Sequence, residues 1–180
     1  MDGRPAAFAA PWGTSVKVIS TVASVFLLGM AVFEGSILPR HLLGGWPWLA
    51  ATGLPVLIVG LCALFVVRRY TLDGGNLRVR RLLWDTVVPL DSLRRAWSSP
   101  DAMSSSLRLF GNGGLFSITG LFRNRRLGSY RALAMDPRLA VVLKFPDRKL
   151  VITPETPERF LEDLRVAAPW ATLGSPEASS

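Results

Sequence analysis

Two uninterrupted apolar runs constrain this chain more than anything else in it. Residues 16–38, VKVISTVASVFLLGMAVFEGSIL, hold only two charges, Lys17 at the start and Glu34 near the end. Residues 46–67, WPWLAATGLPVLIVGLCALFVV, hold none. A helix crosses the hydrocarbon core of a bilayer with about 20 apolar residues, so each run is long enough. A cleaved secretory leader is the competing reading of the first. Its apolar region would span only about 7–15 residues, behind a basic cluster and ahead of a small-residue cleavage site. Here the run is longer, a second comes closely after it, and only Arg4 and Lys17 supply positive charge. The sequence predicts two membrane-spanning helices and an uncleaved N-terminus.

The flanks give the orientation. Trp46 and Trp48 open the second run, where indole rings favour the boundary between headgroups and hydrocarbon. Arg68 and Arg69 close it, and Arg78, Arg80 and Arg81 lie shortly beyond. The short connection 39–45 carries only Arg40 and His41 and reads as a tight hairpin. Because Lys and Arg hold loops on the cytoplasmic side, both termini are expected in the cytoplasm, in a multi-pass protein of the plasma membrane. Residues 1–15 would be a short cytoplasmic segment. Glu34 lies about one turn from the end of its span, close enough to reach the interface, and is not read as a relay. Ser20, Ala23, Ser24, Gly29 and Ala31 suit close helix packing, within this pair or with a partner.

Several chemistries are excluded by residue counts. One cysteine, Cys62, lies inside the second span, and one histidine, His41, lies in the hairpin. That leaves no intramolecular disulfide, no Cys-based metal cluster and no histidine base in the region after the spans. Asp85 and Asp91 could be read as paired acids, yet they flank a strand as turn residues do, and nothing pairs a nucleophile with a base. No catalytic residue, metal or cofactor is expected. Charge is concentrated after the spans: residues 68–170 hold 18 Lys and Arg against 10 Asp and Glu, a difference of +8 that equals the whole chain's net charge. Such a domain tethered beside an anionic leaflet is drawn to it by about 1 kcal/mol per basic residue near the surface. The tether makes lipid a more economical partner than nucleic acid, which is not expected.

Beyond residue 69 the pattern changes to short alternating segments. Residues 70–73 and 77–83 flank Gly74-Gly75-Asn76 as a hairpin, with Leu77 and Val79 on one face and Arg78 and Arg80 on the other. Residues 86–93 read as a third strand, with Pro89 marking an edge or a bulge. Residues 98–106 read as a loop, 115–123 as a strand, 127–133 as another, and 139–145 and 149–153 as a hairpin around Pro146-Asp147-Arg148. Thr156-Pro157-Glu158 opens a helix with a hydroxyl cap and proline in the first turn. Phe160, Leu161 and Leu164 form its apolar stripe, Pro169 ends it, and 172–180 read as a disordered tail. The tetrapeptide Gly111-Asn112-Gly113-Gly114 invites a phosphate-binding reading. A phosphate loop must open a helix, whereas residues 115–123 alternate like a strand, so the glycines are expected to make a turn or bulge with positive φ.

Arg108, the run Phe110 to Phe116, Gly120, Tyr130, the strand pair 141–152 and Thr153-Pro154 leading to Pro157-Glu158-Arg159-Phe160 resemble the bacterial pleckstrin-homology (PH) domain family of membrane-anchored proteins. The resemblance implies a PH-like barrel behind two N-terminal spans and brings no catalytic residues. The expected architecture is an α+β membrane protein. A two-helix transmembrane hairpin precedes a PH-like, roughly seven-stranded, partly open β-barrel over 68–171, capped by a C-terminal α-helix. The expected function is a non-catalytic lipid-surface or protein-binding module, the alternative being a structural or regulatory subunit of a membrane complex. Candidate contacts to anionic headgroups or a partner are Arg78, Arg80 and Arg81 with Arg123, Arg125 and Arg126.

Overall fold

A computed structural model describes residues 6–37, 45–113 and 115–174. The apolar runs form two long helices, α1 (Thr14–Ile37) and α2 (Gly45–Leu64), both long and apolar enough to cross a membrane. They pack on each other along part of their length, Gly35 of α1 lying against the Thr52 methyl. Val22, Phe26, Leu54 and Leu57 stay exposed along their flanks. The hairpin expected over 39–45 falls almost wholly outside the described residues. The second helix ends three residues before the apolar run does. Val66 and Val67 leave it and pack into the sheet domain, where Val67 is fully buried.

The rest is two open sheets and a helix. The smaller sheet has the order β1-β2-β3-β4, from Ala6–Ala9, Arg69–Asp73, Asn76–Arg80 and Asp85–Pro89. The larger has the order β11-β5-β9-β10-β8-β7-β6, from Thr172–Leu173, Arg95–Ser98, Val141–Lys144, Lys149–Ile152, Gly128–Ala134, Ile118–Asn124 and Leu107–Gly113. The expected seven-stranded barrel is thus corrected to eleven strands in two open sheets among the described residues. Four strands have no counterpart in the sequence reading: the seven-residue β6, whose end reads as a glycine turn, and three short ones. β1, β5 and β11 have four residues or fewer, too few for alternation to show. Pro89 ends β4 at the sheet edge, where its missing N–H costs no ladder bond. The helix α3 (Pro157–Ala167) starts after Thr156 as expected, although the Thr156 hydroxyl makes no capping bond.

One consequence of the two-sheet arrangement is visible in the burial. The middle of the larger sheet is covered on both faces. Val141 and Leu143 enter the core shared with the smaller sheet and α3, while Val142 enters a second cluster with Trp97, Phe122 and Tyr130. Leu150 and Ile152 divide from Val151 in the same way. Strands buried on both faces read as continuous apolar runs, which explains LAVVLKF and KLVI. Tyr70 ties the sheets together. Its hydroxyl donates to the Leu133 carbonyl at 2.6 Å and accepts from the Thr153 amide at 3.3 Å. The Thr153 hydroxyl in turn accepts from the Met135 amide at 2.8 Å.

The N-terminal segment is no loose tail. β1 pairs antiparallel with β2, Phe8 opposite Tyr70, so the strand before the first span lies beside the strand after the second. Phe8 is buried edge-on against Phe160 with ring centroids 5.3 Å apart. The start of α1 also docks on the larger sheet: the Gly13 amide donates to the Met135 carbonyl, and the Phe116 amide to Ser20 Oγ at 2.7 Å. At the other end, Thr172 and Leu173, expected in the disordered tail, pair in parallel with Arg95 and Ala96. The sheet domain therefore begins near residue 6, and 69–171 alone would leave Phe160 and the β2 edge uncovered.

This packing has two measurable outcomes. Phe8→Ala should destabilise the sheet domain by about 3–5 kcal/mol in chemical denaturation of the purified full-length protein, as loss of a buried phenyl ring does. Stability equal to the parent would mean that β1 is not docked. Burial pushes the Tyr70 phenol up from 10.0 to about 12, against the opposing hydrogen bonds from Thr153. Because the folded value is the higher one, this stability is fully present below about pH 10 and lost as pH rises toward 12. Tyr70→Phe should be less stable than the parent at pH 8 by about 1–3 kcal/mol, having left the Leu133 carbonyl and Thr153 amide unpaired. Its stability should fall less steeply than the parent's between pH 10 and 12; equal slopes would contradict the assignment.

Candidate functional site

Alternation along β3 sends Leu77 and Val79 inward and Arg78 and Arg80 outward to solvent. Arg78 meets Asp73 at 3.7 Å across the hairpin, with both side chains about half exposed, so this pair is worth little. Arg123, Arg125 and Arg126 are exposed at the end of β7 and in the β7–β8 turn, on the other sheet. Arg126 lies 4.0 Å from Asp101. The first two arginines of one group and all three of the other are solvated surface positions, suited to long-range attraction and not to a closed pocket.

Arg81 is different, and grouping it with Arg78 and Arg80 is corrected by its burial. It retains only 5 % exposure. Period 2 already places Arg80 and Arg81 on opposite sides of the chain, so this signal was present in the sequence. Its guanidinium lies 5.7 Å from the Phe65 ring centre and 5.6 Å from that of Trp84, whose own rings meet edge-on at 5.3 Å. These aromatic faces attract the cation. Burial lowers the Arg81 pKa and the neighbouring charge of Arg131 lowers it further, though an arginine remains protonated at any physiological pH. Its Nε and Nη2 are buried without a hydrogen-bond partner among the described residues.

The ladder explains what faces Arg81. Leu121 on β7 is opposite Phe110 on β6 and Arg131 on β8, so the three form one row across the larger sheet. Two residues further along β8, Leu133 is on the same face and inside the shared core. The smaller sheet has four strands against seven, so it covers the middle of the larger one and leaves this end open. The end of α2 closes the gap in part. Between Leu61, Phe65 and the sheet lies a largely apolar cleft of about 790 Å³, with Arg81, Arg108 and Arg131 among its lining residues. Arg131, Phe65 and Trp84 were not singled out by sequence pattern, because the elements carrying them meet only in the folded chain.

The glycine question is resolved in the neighbouring row, where Gly111 is opposite Gly120. Gly111-Asn112-Gly113 belongs to β6, with a register shift between Arg108 and Phe110, so of the expected turn or bulge the chain forms a bulged strand and not a turn; Gly114 lies outside the described residues. The positive φ falls on Gly111, at +107°, and on its cross-strand partner Gly120, at +151°. A Cβ on Gly111 would run into the Thr119 carbonyl oxygen, and one on Gly120 into that of Phe110. The glycines let two backbones approach and have no helix behind them, so no phosphate cradle is built here.

The sheet domain is thus an open pair of sheets with a closing C-terminal helix and a cleft of ligand size at one end. The family model described as Bacterial PH domain matches residues 68–168. The chain belongs to that family. No curated protein and no solved structure matches it. The matched span begins after α2, so β1, both long helices and β11 lie outside it.

Gly120→Ala should therefore destabilise the protein well beyond Gly74→Ala. Gly74 has φ +54° with open space around it, so alanine there costs about 1 kcal/mol of backbone strain. At Gly120 a backbone clash adds to the strain. Equal melting shifts for the two variants would remove the close-approach explanation.

Proposed function

We propose that this protein is a non-catalytic binding module held at the cytoplasmic face of the plasma membrane. Its two apolar helices would cross the bilayer as a hairpin, and its PH domain would rest on the leaflet by electrostatic attraction. The observation that carries this reading is the pairing of β1 with β2. It requires the chain before the first helix and the chain after the second to be on one side, as an even number of spans demands. The exposed Arg78, Arg80, Arg123 and Arg125 would supply attraction to anionic lipid, each by about 1 kcal/mol at most and screened over about 8 Å at physiological salt. Membership of a family of PH domains supports binding in place of catalysis.

The test uses the full-length protein in nanodiscs. Trypsin cleavage at Arg125 and Arg126 should be slower in discs containing anionic lipid than in zwitterionic discs, and the difference should shrink as salt rises. Arg78→Gln with Arg80→Gln should reduce the protection without unfolding the domain, since neither side chain faces the core. Reporters fused at the two termini should both report the cytoplasm. Opposite signals from the termini would sink the topology. Cleavage rates that ignore lipid charge at every salt concentration would favour a protein partner, as in a subunit of a membrane complex.

A further inference from the structure

We propose that the cleft between the end of α2 and the β6–β7–β8 face binds one anionic phospholipid, with Arg81 holding its phosphate. The inference deepens the membrane-bound reading above by giving that attraction a specific site, away from the exposed arginines. Three features converge on it. Arg81 is 5 % exposed, and its Nε and Nη2 find no acceptor among the described residues. Aromatic faces offset a buried cation but accept no such hydrogen bonds in the plane of the guanidinium, so this buried fork still calls for two acceptor oxygens, which a phosphate entering the cleft would bring. Arg108 and Arg131 line the same cleft, which leaves its positive charge without an acid among the lining residues.

The remaining lining matches the other end of such a molecule. Leu61, Phe65, Phe110 and Leu121 are apolar and partly open, Phe110 being 80 % exposed. An exposed phenyl ring on a strand would be poorly placed in water, whereas acyl methylenes would cover it. Leu61 lies in the last turn of α2 and Phe65 directly after it, so a lipid beside that helix already has its phosphate at the depth of Arg81. The volume, about 790 Å³, suits a glycerophosphate head with the upper part of its chains. Charge selects an anionic headgroup, because a choline or ethanolamine would bring a fourth cation toward three guanidinium groups.

Native mass spectrometry of the full-length protein in mild detergent tests this directly. Phosphatidylglycerol should bind with one preferred copy, and phosphatidylcholine of the same chains about tenfold more weakly. Arg81→Met should remove that preferred copy, with a loss of about tenfold or more, while Arg78→Gln with Arg80→Gln should leave it in place. Should Arg81→Met fail to fold, Arg108→Gln with Arg131→Gln provides the second variant, both residues being exposed; it should weaken the same copy and keep a cooperative melt. Unchanged phosphatidylglycerol binding in a folded Arg81→Met protein overturns the site and leaves the surface attraction standing. Glycerol phosphate competing as well as the intact lipid overturns the acyl part. No preference between the two lipids overturns the selection by charge.

Discussion

Everything else in this structure depends on the antiparallel pairing of β1 with β2. Four residues before the first long helix, Ala6 to Ala9, bind the strand that comes after the second, and Phe8 seals the contact against α3. A hairpin of two apolar helices could otherwise pivot freely on the chain segments at its ends. With the pairing in place, α1 rises from the larger sheet, held at Gly13 and Ser20, and α2 descends into the smaller one at Val67. The helices and the sheets become one body, and the point where α2 meets the sheets is defined.

That point is where the unequal widths of the sheets matter. A seven-stranded sheet cannot be covered by a four-stranded one and a single helix of eleven residues. The middle of the large sheet is consequently a dry core on both faces, stitched by Tyr70 and Thr153, while the β6–β7 end presents leucine and phenylalanine to the outside. In a freely diffusing protein this would be an aggregation hazard. With the two apolar helices in a bilayer, as proposed, the same surface would face the headgroup region, where half-buried side chains are at home.

Arg81 shows how such a junction combines opposing demands. A buried guanidinium is costly, and a hydrophobic residue of similar size would commonly be as stable or more so. Retaining the charge between Phe65 and Trp84, with two N–H groups aimed at no acceptor, makes sense when something outside the chain completes the bonds. Arg78 and Arg80 carry the same charge on nearby positions of the chain and differ from it in facing water. In the proposed function their contribution would be graded and screened, and that of Arg81 would depend on geometry.

Much of this was legible in the residues. The length of the apolar runs is a direct physical requirement of a bilayer, and it marked both long helices to within a few residues. Alternation of period 2 identified the β2–β3 hairpin and the outward direction of Arg78 and Arg80, and Pro157 with the stripe of Phe160 and Leu164 identified α3. Those signals are local, encoded within a dozen residues. What tertiary structure alone decided was non-local. AAFA carries no strand signal of its own and becomes β1 only because β2 offers an unpaired edge. Gly111 and Gly120 are nine positions apart, and their need for one another comes from a cross-strand approach that no run of sequence displays. The cleft draws residues from α2, β6, β7 and β8 and from the chain just beyond α2 and β3, brought together by the mismatch in sheet width. Its apolar walls and its arginines are each ordinary in sequence and acquire a meaning only by facing the same space.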